Sequence, residues 1–131
     1  MKPALLWGPV LFVMGLIFYF SSLSDPGGPP GGMSDKAAHF LIYAALGGAL
    51  IRALAGGRTK RMDAPRAGLA TMLGTLYGVS DELHQWFVPP RTPEMMDLAA
   101  DFAGALTGAV GVAVFARAVA HLRRGTGTPS I

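Results

Sequence analysis

The sequence has no cysteine and few charged residues, at 15% of 131 positions. Without cysteine the chain can form no disulfide, no thiolate metal site and no cysteine nucleophile. A soluble domain of this size carries roughly a quarter charged residues, so the shortage excludes the ordinary soluble reading. No stretch alternates like a β-strand, and no His-Glu-x-x-His zinc pattern occurs. The run Gly27-Gly28-Pro29-Pro30-Gly31-Gly32 lacks the Lys-Ser/Thr end of a phosphate-binding loop and follows no strand. The pI near 9.7 does not imply a nucleic-acid partner, because the basic residues are separated by apolar spans and form no aromatic-studded patch.

What is present is long apolar runs, with a positive mean hydropathy of +0.41. They predict a single domain, 1–131, of the all-α class: an antiparallel bundle of four transmembrane helices, with spans near 4–22, 37–54, 67–87 and 95–120. The lipid bilayer is therefore the first expected partner. The opening run is longer than the ~7–15-residue core of a secretory signal peptide, so it is expected to remain as a span. Ser34 suits the N-cap of the second helix, Gly56 and Gly57 suit its stop, and Pro89-Pro90 ends the third.

Basic residues stay on the cytoplasmic side of short loops. Lys2, Arg52, Arg58, Lys60, Arg61, Arg66, Arg117, Arg123 and Arg124, nine of the eleven, fall at the two termini and the second connection. Both termini are accordingly expected in the cytoplasm, with Thr59 and Ser130 on that side and Ser24 and Thr92 outside. Seven of the eight acids share the opposite side. Gly74-x-x-x-Gly78 and Gly104-x-x-x-Gly108 place small residues one turn apart, which bears on close packing and not on oligomeric state.

This topology gathers polar residues at the outer end. Asp35, Lys36 and His39 open the second helix, Asp81, Glu82, His84 and Gln85 close the third, Arg91 lies in the outer turn, and Asp97 and Asp101 open the fourth. Asp35 and His39, Asp81 and Gln85, and Asp97 and Asp101 are each four apart and share a helix face. Crowded carboxylates need a proton, a cation or a basic partner. Asp35 and Lys36 also fit an interfacial helix start, Glu94 a favourable helix-dipole position, and His84 an interfacial place beside Trp86. Asp101 lies a turn inside its helix, where an ionisable group is costly enough to suggest function. Serine hydrolysis would need Ser22 or Ser80 beside His39.

The pattern resembles the VanZ-like family of small bacterial membrane proteins. The resemblance rests on Ser21-Ser22, on Asp35-Lys36-x-x-His39-Phe40-x-x-Tyr43, on Ser80-Asp81-Glu82-x-x-Gln85-x-Phe87-x-Pro89-Pro90-Arg91, and on Asp97-x-x-x-Asp101-x-x-Gly104-x-x-x-Gly108. Family members usually carry Gly where Pro90 stands and Asn where Asp101 stands. The resemblance implies a multi-pass protein of the bacterial plasma membrane and cell envelope, in a family named after a member associated with resistance to the glycopeptide teicoplanin. It also adds Tyr43 to the candidates.

Three functions fit. The first is an envelope factor that binds a lipid-linked or anionic head group through Asp35, Lys36, His39, Tyr43, Asp81, Glu82, Gln85, Arg91, Asp97 and Asp101. In it Arg91 makes a bidentate contact and access of envelope-directed molecules changes. The second is a membrane-embedded hydrolase in which Asp81, Glu82 and Asp101 hold a metal or water and His39 is the base. The third is a purely structural membrane module. No cofactor is required by the sequence, and a hard divalent cation such as Mg²⁺ or Ca²⁺ is compatible with the donors. The first two readings expect Glu82, Asp101, His39 and Arg91 to line one pocket, with Arg91 or Lys36 ion-paired to an acid.

Overall fold

The computed structural model describes residues 1–125; Ser130 lies outside them. The described chain is helical without strands: α1 (Pro3–Ser22), α2 (Asp35–Leu54), α3 (Ala64–Trp86) and α4 (Met95–Gly125), with single 3₁₀ turns at Pro30–Gly32 and Thr59–Arg61. Ser34 Oγ accepts the Ala37 N–H and Asp63 caps α3 by accepting from Arg66 N–H, so both helices begin on side-chain caps. α2 ends where Gly56 and Gly57 take positive φ, a backbone region that glycine enters without penalty.

α1, α2 and α4 are long and apolar enough to cross a membrane; at 1.5 Å per residue, the 20 residues of α2 span about 30 Å. The expected third span is present as a helix, but α3 is less apolar than the other three. Its polar residues account for the difference, since Thr71, Asp81 and Gln85 are buried on its inner face beside Ala67, Ala70, Gly74 and Gly78. Outward it presents Leu69, Met72, Leu76, Val79, Leu83 and Trp86, all exposed at helical spacing. α4 repeats the arrangement, with Phe102, Leu106, Val110 and Val114 outside and Asp101, Gly104, Ala105 and Ala109 within. A face of large apolar side chains around an interior of small and polar ones suits contact with lipid tails, and fits membrane-spanning helices.

Consecutive helices run antiparallel, yet the closest approach is between the parallel pair α2 and α4. A Cβ on Gly104 would overlap the carbonyl of Phe40, one on Gly108 that of Ala44, and one on Gly47 that of Ala105. The two backbones touch directly there. Gly74 similarly faces Ala105 across α3 and α4, while α1 packs on α2 and α3. This register sets the N-termini of α2 and α4 beside the C-termini of α1 and α3, and so makes one end of the bundle acidic.

The other end is basic. Arg58, Lys60, Arg61, Arg117, His121 and Arg124 line a cavity of about 760 Å³. Arg52 donates to the Leu5 carbonyl and Arg117 to that of Met62, which ties these cations to the helix ends.

Candidate functional site

Capping by Ser34 sets the phase of α2 so that Lys36, His39 and Tyr43 share the side facing α4. Lys36 Nζ donates to Glu94 Oε2 at 2.5 Å and to Asp97 Oδ1. One turn deeper, His39 Nδ1 lies 2.8 Å from Asp101 Oδ1, and its Nε2 is 3.7 Å from Asp97 Oδ2. Two residues of α2 thus engage two acids one turn apart on α4, as parallel helices in this register allow. The His39 ring lies parallel to Tyr43, which is buried, with centroids 6.4 Å apart.

α3 supplies the third side. Glu82 Oε2 accepts the Glu94 N–H at 3.0 Å, satisfying a backbone donor at the start of α4. Buried Asp81 and Gln85 are paired at 3.5 Å along the helix. Asp101 is 0% exposed, and its Oδ2 would lie 2.8 Å from a Cβ on Gly78. Gly78 therefore makes room for a carboxylate, a role beyond the packing inferred from glycine spacing. Donor atoms of His39, Glu82 and Asp101 all lie within 4.8 Å of one another.

Four polar atoms in this region are buried without a hydrogen bond of standard geometry among the described residues: Ser21 Oγ, Tyr43 Oη, Glu82 Oε1 and Asp101 Oδ2. Each of the four helices contributes one. Ser21 adjoins Asp81, and Tyr43 is within electrostatic reach of Asp81, Glu82 and Asp101. An unmet buried polar atom costs about 1–3 kcal/mol, so these atoms form a set suited to a partner from outside the chain.

Arg91 departs from expectation. It was expected to line the pocket, with either it or Lys36 ion-paired to an acid; Lys36 makes that pair, while Arg91 Nη1 donates to the carbonyls of Leu23 (3.1 Å) and Phe20 (3.5 Å) at the end of α1. The helix C-terminus supplies unpaired carbonyls that attract a cation, and Lys36 takes the acids instead. Asp35 stays exposed in the first turn of α2, with no side-chain hydrogen bond among the described residues. Glu94, expected to serve only the helix dipole, joins the network through Lys36 and Glu82.

His84, expected at the interface beside Trp86, stacks on Phe18 at 4.8 Å and lies 2.9 Å from Ser22 Oγ, at the end of α1. The Ser22 hydroxyl also has the Phe18 carbonyl within hydrogen-bond distance, at 2.7 Å. Ser80 donates to the Tyr77 carbonyl. Neither serine is placed beside His39 as serine hydrolysis requires. Ser21 and the Ser22–His84 contact were missed as site features, since partners 62 positions apart leave no spacing signal.

The fold and site together define a helical membrane protein with an ionisable cluster at one end of its bundle. Residues 31–116, about two thirds of the chain, match the model of the VanZ/LLP1 family, and the chain belongs to that family. The matched stretch holds every member of the cluster on α2, α3 and α4 and begins after α1. No curated protein and no solved structure matches the chain.

Proposed function

We propose that this VanZ-family protein resides in the bacterial plasma membrane with both termini in the cytoplasm. On this reading its outer cluster binds the head group of a lipid-linked or other anionic envelope molecule and alters access of envelope-directed, glycopeptide-type compounds. The observation that carries this reading is the set of three unpartnered buried polar oxygens, Tyr43 Oη, Glu82 Oε1 and Asp101 Oδ2, one each from α2, α3 and α4, beside two cations at the same end. Lys36 is partly exposed. Arg91 uses only Nη1 in its hydrogen bonds within the described chain, leaving Nε and Nη2 for a fork-like contact with phosphate or carboxylate.

Orientation is tested by single cysteines in a chain that has none of its own. Ser24→Cys and Thr92→Cys should react with a membrane-impermeant thiol reagent in intact cells, and Thr59→Cys only after the membrane is opened. Outside labelling at Thr59 would reverse the orientation and remove the envelope reading.

Ligand contact is tested at Arg91. Lysine can keep one donor to the Leu23 carbonyl but loses the planar fork. Arg91→Lys is expected to reduce complementation in an envelope-susceptibility assay about tenfold while membrane abundance stays near wild type. Loss of function in step with abundance, for Arg91→Lys and Arg91→Ala alike, would decide for a structural module. The hydrolase reading is favoured by one observation, a buried Asp101 that orients His39 at 2.8 Å, an arrangement that suits a general base. It requires turnover by the purified protein that is lost in His39→Gln.

A further inference from the structure

The acids around His39 outnumber the bases that face them. Lys36 is held by Glu94 and Asp97, which leaves one imidazole to face Asp81, Glu82 and Asp101. Glu82 and Asp101 share a further property. Each uses one carboxylate oxygen in a protein hydrogen bond, to the Glu94 N–H and to His39, and each keeps its second oxygen buried and unpaired. Tyr43 Oη, on a side chain only 1% exposed, is a third unpaired oxygen in the same region.

We propose that one divalent transition-metal cation binds between His39, Glu82 and Asp101. Their donor atoms lie within 4.8 Å of one another, and metal bonds of about 2.0–2.2 Å require separations of roughly 3–4 Å, so a closure below ~2 Å completes the site. The cation brings positive charge to a cluster in which Glu82 and Asp101 each keep a carboxylate oxygen free to ligate it. One imidazole with two carboxylates suits Zn²⁺ or Mn²⁺ better than Mg²⁺ or Ca²⁺, which favour all-oxygen sets. A transition metal here departs from the expectation drawn from the sequence, in which the donors are thin for zinc and favour a hard cation such as Mg²⁺ or Ca²⁺. Asp97 stands beside the site, its Oδ2 3.7 Å from His39 Nε2.

The inference uses the cluster on which the proposed function rests, but its test uses metal alone. Full-length protein in detergent, stripped with EDTA and dialysed, is titrated with Mn²⁺ followed by electron paramagnetic resonance, and then with competing Zn²⁺. One Mn²⁺ per chain, displaced by Zn²⁺, is expected. Glu82→Gln and Asp101→Asn should each weaken binding tenfold or more, while Asp25→Asn, in the first connection, should leave it unchanged. Wild-type protein that binds neither ion, or affinities in both cluster variants within twofold of wild type, would overturn the site.

A second measurement needs no variant. Zn²⁺ should protect His39, but not His84 or His121, from diethyl pyrocarbonate as mapped by mass spectrometry, and equal modification of all three would also overturn the site. Metal bound without any head-group effect of Arg91→Lys removes the proposed function alone. Absence of metal with that effect intact removes this inference alone.

Discussion

Gly108→Ala is expected to lower the thermal stability of the detergent-solubilised protein by about 2–3 kcal/mol or to prevent its accumulation. A mid-helix Gly→Ala change ordinarily stabilises by up to about 1 kcal/mol. Here the added methyl would sit 2.6 Å from the Ala44 carbonyl carbon and 2.8 Å from its Cα, contacts that no rotamer change relieves because the obstacle is backbone. α2 and α4 must move apart, which also separates His39 from Asp101 one to two turns away. Overpacking of this kind costs about 1–3 kcal/mol. Gly111, on the same helix, has open space around its Cβ position, so Gly111→Ala should be neutral or slightly stabilising. Equal melting temperatures for the two variants would show that the close approach of α2 and α4 does not hold the bundle together.

The second large effect is at His39 and Asp101. Replacing His39 by alanine leaves the fully buried Asp101 without its partner, a loss expected to cost about 3 kcal/mol, as for other broken buried pairs. Asp101→Ala leaves a half-buried imidazole and should cost less. Asp101→Asn keeps the shape and can still accept from His39, so its stability should remain within about 1 kcal/mol of wild type. The double variant His39→Ala with Asp101→Ala should be markedly less damaging than the sum of the single changes, since it removes both halves of the pair. Additive losses in that cycle, measured by thermal unfolding, would show that the 2.8 Å contact carries no coupling.

Much of this architecture is legible in the sequence because lipid simplifies the rules. Apolar length predicts the helices, Ser34 marks the start of α2, and the separation of acids from bases predicts two chemically distinct bundle ends. Convergence of His39, Glu82 and Asp101 follows once three helix ends are known to meet. The parallel pairing of α2 with α4 through Gly47 as well as Gly104 and Gly108 does not, because small residues signal closeness without naming the partner. The partner of Arg91 was also hidden. Side chains at helix ends choose between acids and free carbonyls, and that choice depends on where Leu23 and Phe20 end α1 rather than on the Arg91 neighbourhood in sequence. On α3 the four-residue spacing of Asp81 and Gln85 does mark the polar face that the structure buries.

On α3 and α4 the large apolar side chains face outward and the small ones inward, which reverses the usual relation between residue size and tolerance to change. A leucine at position 76 or 106 can drift to valine, isoleucine or phenylalanine, because lipid tails reshape themselves around any of them. An alanine or glycine at position 70 or 104 has rigid neighbours and no such latitude. On these two helices substitution should be borne most easily by the bulky outward residues, while the inconspicuous ones hold the geometry that lets a histidine meet an aspartate inside a membrane.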